Sequence, residues 1–285
     1  MMDFYKYHAL GNDYIIIDPN KTDIYINKEN VETICSRNTG LGSDGILYGP
    51  IFNDGKIKLR IFNPDGSEAE KSGNGIRMFS KYLGDVGYIK ERTFSISTVG
   101  GEVSVEIINL KDGLIKVDMG LTTFQSDLIP VAGERRKVIR EPIKVGDESL
   151  EVTCISIGNP HCVIPVTNIS QERVLQLGPK IENHPIFPNR INLQLLQVLD
   201  RYNIQIEIWE RGAGYTMASG SSSCAAASVA YELGLVEREV KVYMPGGEID
   251  IDIKPSGRVY MTGVSNAVAE GMFLQEFKSI LMGKS

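Results

Sequence analysis

Two spacings of apolar residues divide the chain into strands and helices. Short runs in which apolar and polar residues alternate, rich in β-branched side chains, are typical of half-buried strands. In the first half of the chain such runs cover residues 14–18, 56–62, 93–98, 103–107 and 114–118. In the second half they cover residues 151–157, 161–166, 203–209, 239–243, 248–253 and 259–262. The alternation therefore predicts many short strands in each half.

Helical spacing of apolar residues predicts two helices per half. They cover residues 30–38, 73–83, 171–177 and 221–233. The last contains Ala225-Ala-Ala227, whose small side chains allow close packing along a central axis. Many strands with one central helix per half predict an α+β fold, in which a curved, mostly antiparallel sheet surrounds each helix. A final run, residues 272–277, is predicted as a strand that returns to the first domain.

Short motifs recur in the same order in the two halves. Ser72-Gly and Ser219-Gly each open a predicted central helix, and each lies 61 residues after a Gly-Asn pair, at Gly11-Asn12 or Gly158-Asn159. A Gly-Gly-Glu motif follows in both halves. Several coincidences in one order predict an internal duplication, with two similar, pseudo-symmetric domains.

Length and composition fit a globular protein with two domains. A chain of 285 residues with 42% hydrophobic content can build two cores. We place the first domain at residues 1–121, completed by residues 270–285, and the second domain at residues 122–269.

Charge and cysteine spacing exclude several classes of partner. A net charge of −6 with scattered basic residues gives no footprint for nucleic acid. No apolar run reaches the ~20 residues of a membrane span, and the N-terminus lacks the apolar core of a signal peptide. The four cysteines have no metal-type spacing. We therefore expect a cytoplasmic protein with reduced thiols and no metal, nucleic-acid or membrane partner.

The two Ser-Gly helix starts are candidate anion sites. A helix N-terminus presents free backbone N–H groups, and glycine lets a ligand approach them closely. In this chain the groups belong to Gly73 and Asn74 in the first half and to Gly220 and Ser221 in the second. The plain alternative is that the preceding serines are ordinary helix N-caps, a position where serine is preferred in any protein.

Further motifs lie in a fixed order along the chain. They are His8-Ala-Leu-Gly-Asn-Asp13, Phe62-Asn-Pro-Asp-Gly-Ser-Glu-Ala-Glu70, Gly158-Asn-Pro-His161, Arg190-Ile-Asn192 and Glu210-Arg-Gly-Ala-Gly-Tyr-Thr216. With the two Ser-Gly sites, this set resembles the diaminopimelate epimerase family from about residue 4 to about residue 275. The ordered set is highly specific, although each motif alone is weak.

The resemblance implies a fold and a reaction. The family has two similar α+β domains that face each other across a cleft containing the active site, and it is usually homodimeric. Without any cofactor, its members interconvert LL- and meso-diaminopimelate in lysine and peptidoglycan precursor synthesis. Two cysteine thiols, one per domain, remove the α-proton on one face and return a proton on the other.

The resemblance also implies a role for each matched residue. The catalytic positions are Ser72 and Ser219, with His161 as acid–base partner on the Ser72 side and Glu210 on the Ser219 side. The residues that would hold the non-reacting amino-carboxylate end are Asn63, Asn159, Asn192 and Arg211, with Asn12 as a further substrate contact. The backbone N–H groups of Gly73, Asn74, Gly220 and Ser221 would hold the carboxylate of the reacting centre. Together they imply an amino-acid substrate with two amino-carboxylate ends.

The chain departs from the family at the centre of the reaction. Both positions that should carry thiols are serines, and a serine hydroxyl is a weak base unless a neighbouring group activates it. Met78 also replaces a common cysteine, Tyr215 a glutamate, and Ser222-Ser223 a common Gly-Ala or Gly-Ser. These neighbours favour natural divergence over a deliberate double Cys→Ser substitution.

Three functions remain open from the sequence alone. The first is diaminopimelate-type epimerisation, slowed or altered by the two serines. The second is an isomerisation or water elimination on a related substrate, run by Glu210 or His161. The third is a binding protein that has lost catalysis.

Overall fold

The chain divides into two units within the computed structural model, which describes residues 2–283. The first unit comprises the described residues up to Val117 together with those from Gly263 onward, and the second comprises Asp118–Thr262. The predicted boundaries, after residue 121 and before residue 270, lie several residues further along the chain. Both observed boundaries fall inside strands, which composition does not mark. Residues 1, 284 and 285 of the predicted first domain lie outside the described range.

The first unit begins with eight strands and two helices. They are β1 (Phe4–Ala9), β2 (Asn12–Ile17), α1 (Lys28–Cys35), β3 (Ile46–Asn53), β4 (Lys56–Phe62), β5 (Glu68–Ala69), α2 (Gly73–Asp85), β6 (Thr93–Thr98), β7 (Gly101–Asn109) and β8 (Leu114–Leu121).

The second unit has the same order with one additional strand, β9, at its start. It contains β9 (Glu141–Val145), β10 (Glu148–Ser156), β11 (Pro160–Pro165), α3 (Gln171–Glu182), β12 (Asn192–Asp200), β13 (Asn203–Glu210), β14 (Gly214–Thr216), α4 (Gly220–Glu232), β15 (Glu239–Met244), β16 (Gly247–Ile253) and β17 (Arg258–Val264).

The chain then returns to the first unit. Strand β18 (Asn266–Gly271) pairs antiparallel with β1, and helix α5 (Gln275–Leu281) follows it. The predicted strand at residues 272–277 is therefore wrong: the strand ends before this segment, and a helix begins within it. Phe273 of this segment packs against the first unit, since the rings of Phe4 and Phe273 lie 5.2 Å apart.

Strand pairing is the same in both units, which confirms the predicted duplication. In the first unit β2 runs parallel to β3 and β4 parallel to β6, and in the second β11 runs parallel to β12 and β13 parallel to β15. The other pairs described within each unit are antiparallel. Each parallel pair is connected through a helix, as parallel strands require a long crossover. The predicted mostly antiparallel α+β fold is therefore confirmed.

One helix in each unit is buried on nearly all sides. Every residue of α2 from Asn74 to Leu83 is buried, and so is every residue of α4 from Ser222 to Ala230. A helix buried on all sides must lie inside a core. Accordingly, α4 contacts strands β10 to β13, β15 and β16 of its own unit. The small alanine side chains of α4 allow these strands to pack closely against the helix. This packing fixes the position of the helix start relative to the sheet.

Helix α3 extends beyond its predicted end at residue 177. It continues through Gly178-Pro179 to Glu182, although this dipeptide normally ends a helix. Packing against Trp209 explains the glycine, because a Cβ at position 178 would lie 2.3 Å from the indole ring. The contact fixes the end of β13, which carries Glu210.

Candidate functional site

Ser72 and Ser219 occupy the same structural position in the two units. Ser72 is the N-cap of α2, and its Oγ accepts a hydrogen bond from the backbone N–H of Gly75 at 3.1 Å. Ser219 is the N-cap of α4, and its Oγ accepts from the N–H of Ser222 at 3.4 Å. Both serines are therefore helix caps, as the plain alternative predicts. Capping leaves the first N–H groups of each helix available to an anion.

The duplication extends to side-chain contacts at these two helix starts. In the first unit, Asn74 donates through Nδ2 to Oδ1 of Asn12 at 3.4 Å. In the second, Asn159 donates through Nδ2 to Oγ of Ser221 at 3.5 Å. Both contacts join residues 62 positions apart. The repeated spacing in the sequence therefore reflects an asparagine that packs against the third residue of each Ser-Gly motif.

A glycine precedes the asparagine in both units for a conformational reason. Gly11 has φ +81° and Gly158 has φ +95°, a left-handed backbone region that side chains with a Cβ rarely adopt. The tight turn at each glycine brings the following asparagine back towards the helix start. This requirement explains why Gly-Asn, rather than asparagine alone, is the repeated motif.

Charged residues orient the amides of the first unit. Asn12 donates through Nδ2 to Oδ2 of Asp44 at 2.9 Å. Asn74 accepts at Oδ1 from Nη2 of the buried Arg77 at 2.8 Å. With its oxygen held by a cation, Asn74 directs its N–H groups towards Asn12. The start of α2 thus has a defined amide orientation before any ligand binds.

Glu210 and Ser219 lie together in the second unit. Glu210 ends β13, and desolvation raises the pKa of its carboxyl group above the ordinary value. The hydroxyl groups of Ser219 and Thr216 lie beside the carboxylate and partly offset this shift. A carboxylate with a raised pKa is a stronger base than an ordinary glutamate. The predicted pairing of Glu210 with Ser219 is therefore present as a contact, while its catalytic role stays a prediction.

His161 is fully buried within the second unit. Its Nε2 lies 2.9 Å from Oδ1 of Asn159, and its Nδ1 lies 3.3 Å from Oε1 of Gln194. Burial lowers the pKa of the ring to about 3; the Gln194 contact opposes this shift, and the positive charge of Arg211 adds to it. The imidazole is therefore neutral at pH 7. Its predicted role as acid–base partner of Ser72 stays a prediction.

Comparison with known proteins identifies the family. The family model described as diaminopimelate epimerase matches residues 4–125 and 153–268. The chain belongs to the diaminopimelate epimerase family. It is 50% identical to diaminopimelate epimerase 2 of Nostoc sp. strain PCC 7120, covering 98% of both chains. It is 39% identical to diaminopimelate epimerase 1 of the same strain, covering 95% of this chain and 99% of the relative. The resemblance seen in the sequence is thus confirmed.

A solved structure supports the same fold at low identity. A probable proline racemase from Agrobacterium radiobacter K84 superimposes with a TM-score of 0.70 at 13% identity, covering 96% of this chain and 93% of that one. The two matched segments of the family model correspond to the two duplicated halves.

The remaining residues predicted to bind substrate differ in how many hydrogen bonds they make within the protein. Asn192 is buried, and its amide joins the carbonyl of Pro160 at 2.7 Å to the backbone N–H of Arg211 at 2.9 Å. The side chain of Arg211 is exposed and donates to the carbonyl of Asn189 at 3.0 Å. Asn63 follows β4 and donates through Nδ2 to Oγ of Ser67 at 3.0 Å. Asn192 therefore holds the loop that presents Arg211.

Two residues that depart from the family pattern, Met78 and Tyr215, make defined contacts within the fold. Met78 is fully buried in α2, where it packs in the core of the first unit. The hydroxyl of Tyr215 donates to Oε2 of Glu207 at 2.8 Å, and burial followed by this contact raises the pKa of the phenol to about 12. Both residues are therefore integrated into the fold, and natural divergence stays a prediction.

Sequence reasoning missed two buried polar residues that hold the site. Glu182, at the end of α3, accepts from Nε1 of Trp209 at 2.7 Å and from the N–H of Gly212 at 2.9 Å. It therefore fixes the loop that follows Glu210. Gln194 contacts His161 from β12. The inward position of Gln194 is readable from strand alternation once β12 is known, but no sequence signal marks Glu182.

Two other kinds of site are absent from residues 2–283. No helix there is both long and apolar enough to cross a membrane. In the same range no three His, Cys, Asp or Glu side chains are grouped as metal ligands would be.

Proposed function

We propose that this protein is a cofactor-independent amino-acid epimerase of the diaminopimelate type, which transfers a proton at Cα of a substrate with two amino-carboxylate ends. The observation that carries the proposal is the contact between Glu210 and Ser219 at the start of α4, because burial raises the pKa of this carboxyl group. Relatives named diaminopimelate epimerase match along nearly the whole chain. A homodimeric state and a cytoplasmic location, both implied by the family, belong to the same proposal.

The helix starts supply electrostatic stabilisation in this mechanism. The carboxylate of the reacting centre accepts hydrogen bonds from the backbone N–H groups of Gly73, Asn74, Gly220 and Ser221. Removal of the α-proton leaves negative charge next to that carboxylate. Fixed N–H dipoles directed at developing charge are among the strongest contributions to catalysis.

Glu210 is the proposed proton acceptor on one face of the substrate. It removes the α-proton directly or through the hydroxyl of Ser219, and burial, which raises its pKa, makes it a stronger base than an ordinary glutamate. Ser72 with His161 is the proposed pair on the opposite face. A hydroxyl replaces a thiol on both sides, so we expect turnover that is slower by several orders of magnitude than in a cysteine-bearing relative.

The distal residues are proposed to select a long substrate. Arg211 would bind the far carboxylate through parallel hydrogen bonds, and Asn63, Asn159 and Asn12 would bind the far amino and carboxylate groups. Asn192 would act by holding the backbone of Arg211, since its amide is already engaged. A racemase for a short amino acid would need none of these distal contacts.

Deuterium exchange tests the proposal. The protein is incubated with LL-diaminopimelate in heavy water, and deuterium at the α-carbon is measured by mass spectrometry. We expect slow incorporation that the Glu210→Gln variant loses, and faster incorporation in the Ser72→Cys/Ser219→Cys double variant. A wild-type protein that incorporates no deuterium, where a cysteine-bearing relative does under the same conditions, would refute the catalytic claim.

A second function remains a candidate because Glu210 needs no thiol. Its desolvated carboxyl group can act as a single base in an isomerisation or elimination on a related substrate. Proton NMR of candidate substrates with the wild type and with Glu210→Gln would distinguish this reaction from epimerisation. Thermal stabilisation by diaminopimelate without exchange in either protein would instead indicate a binding protein.

A further inference from the structure

A closed ring of hydrogen bonds surrounds His161, and two of its members have no role in the proposed reaction. From Asn159 the ring passes through His161 to Gln194, and from there to Oγ of Ser222, which accepts from Nε2 of Gln194 at 3.0 Å. The ring closes at the start of α4. There the N–H of Ser222 donates to Oγ of Ser219, which lies beside Oγ of Ser221, and the latter accepts from Nδ2 of Asn159.

Gln194 and Ser222 are held rigidly inside the second unit. Both are fully buried. His161 on β11 pairs with Asn192 on the parallel strand β12, so Gln194, two residues further, points to the same face of the sheet. That face is covered by α4, which supplies Ser222. A buried amide and hydroxyl must satisfy each other here, because water cannot reach them.

The ring imposes a choice on the imidazole. Its two nitrogens lie against two carbonyl oxygens, of Asn159 and Gln194, but a neutral imidazole carries only one N–H. The shorter contact, 2.9 Å, is the one to Asn159. If Nε2–H donates there, Gln194 must turn its NH₂ group towards Nδ1, which requires a half-turn of the amide from the orientation in which its Nε2 donates to Ser222. The Gln194 oxygen then needs a donor, which the rotatable hydroxyl of Ser222 provides.

We propose that Gln194 and Ser222 are positioning residues that keep the proton of His161 on Nε2. With this tautomer, Asn159 must use its oxygen towards the ring and direct its N–H groups towards the start of α4. The amide is therefore preset as a donor to a carboxylate. The assignment of that carboxylate to substrate rests on the proposed function, whereas the tautomer does not. Glycine or alanine at position 222 would lack the required donor.

Nitrogen-15 NMR of the histidine rings reads the tautomer directly. The chain has three histidines, so selective labelling gives few signals, and His8→Gln and His184→Gln variants assign the other two rings. In the wild type at about pH 7 we expect Nε2 of His161 in the protonated range and Nδ1 in the unprotonated range. Arg211 is the charged side chain that acts on this ring, and it also disfavours the imidazolium.

Two substitutions should move the proton. Gln194→Glu places a carboxyl group beside Nδ1, which in its ionised form only accepts hydrogen bonds and favours a protonated ring nitrogen, so the Nδ1 signal should shift into the protonated range. Ser222→Ala removes the donor that orients Gln194, so both ring signals should move to intermediate values as the tautomers exchange. If the proposed function also holds, Ser222→Ala should slow α-deuterium exchange about tenfold, the lower end of what loss of an orienting partner costs at metal sites.

Matched controls separate this role from general packing. Gln197→Glu changes the same residue type on the same strand, where the side chain caps the N–H of Ile169. Ser228→Ala removes a buried hydroxyl of the same helix that has no hydrogen-bond partner among the described residues. Both should leave the His161 signals at wild-type values.

Two results would overturn the inference. One is a wild-type ring protonated mainly on Nδ1, and the other is a Gln194→Glu ring with unchanged signals in a protein whose circular dichroism is native. Either result counts against the inference even if diaminopimelate is turned over. Conversely, the expected NMR signals in a protein without deuterium exchange would refute the proposed function and leave the inference standing.

Discussion

The buried imidazole of His161 predicts a specific loss of stability in acid. The perturbation is the substitution His161→Gln, which removes the titrating group but keeps a side chain able to donate to Asn159. In the native state burial lowers the pKa of the ring from 6.5 to about 3. In the unfolded state the ring has its ordinary pKa. Between these two values the unfolded chain binds one more proton than the native protein, so stability falls as the pH falls.

The size of the effect follows from that interval. Each unit of pKa difference corresponds to about 1.4 kcal/mol. From about pH 7 to about pH 4.5, the His161 contribution to the free energy of unfolding should fall by about 2.5 kcal/mol. The full contribution is present above the unfolded-state pKa and is lost as the pH approaches the native one.

Tryptophan fluorescence gives a readout of the second unit alone. Trp209 is the only tryptophan, and its indole packs near the site. Urea unfolding curves are measured at several pH values for the wild type, His161→Gln and the control His184→Gln, whose ring is partly exposed. We expect the wild type to lose about 2.5 kcal/mol more than His161→Gln over this pH range. Parallel pH dependence in these two proteins would refute the claim that the native imidazole is neutral and buried.

Three further substitutions test other parts of the structure by urea unfolding. Glu210→Gln should have a larger free energy of unfolding than the wild type at about pH 8 and the same free energy near pH 4. Because the pKa of Glu210 is raised in the native state, that state favours the protonated carboxyl group, and the wild type loses stability as the pH rises. Gly178→Ala should cost about 2 kcal/mol and alter Trp209 fluorescence, because the added Cβ overlaps the indole; unchanged stability would contradict this packing. Asp18→Ala should lower the free energy of unfolding by about 3 kcal/mol, because the buried side chain accepts hydrogen bonds from two tyrosine hydroxyls at 2.6 and 2.8 Å. The control Asp23→Ala, at an exposed position, should lower it little.

Regular alternation and helix starts were sufficient to predict most elements. Strands at residues 56–62 and 93–98 were predicted with their observed bounds, and both central helices within two residues of theirs. These segments carry local signals: alternating burial for the strands, and a serine N-cap before glycine for the helices. The two-half organisation followed from motif order alone.

Elements without a local signal were missed. Strand β12 is buried on both faces over much of its length, and its alternation breaks at Leu195-Leu196. Strand β3 contains Gly49-Pro50, which normally argues against a strand. The true ends of the units lie inside strands for which composition does not change. These features depend on tertiary contacts between segments that are distant in the sequence.

The site residues likewise divide into those with a signal in the sequence and those without one. Serine caps and the asparagines of the Gly-Asn pairs were predictable because they lie in repeated motifs. The contact of Glu210 with Ser219 was implied by the family resemblance. The roles of Glu182 and Gln194 were not, since each is an ordinary polar residue whose burial gives it importance.

The duplication repeats the backbone but not the acid–base groups. The two Ser-Gly sites are 147 residues apart, and the same offset relates Glu210 to Asn63 and His161 to Tyr14. Both predicted bases therefore belong to the second unit, while the corresponding positions of the first hold an amide and a phenol. In the proposed mechanism the carboxyl group of Glu210, beside Ser219, acts in place of a thiol. The corresponding positions of the first unit offer Ser72 no such base, and its proposed partner His161 is a buried, neutral imidazole of the second unit. Replacement of sulfur by oxygen should therefore weaken proton transfer unequally on the two faces of the substrate.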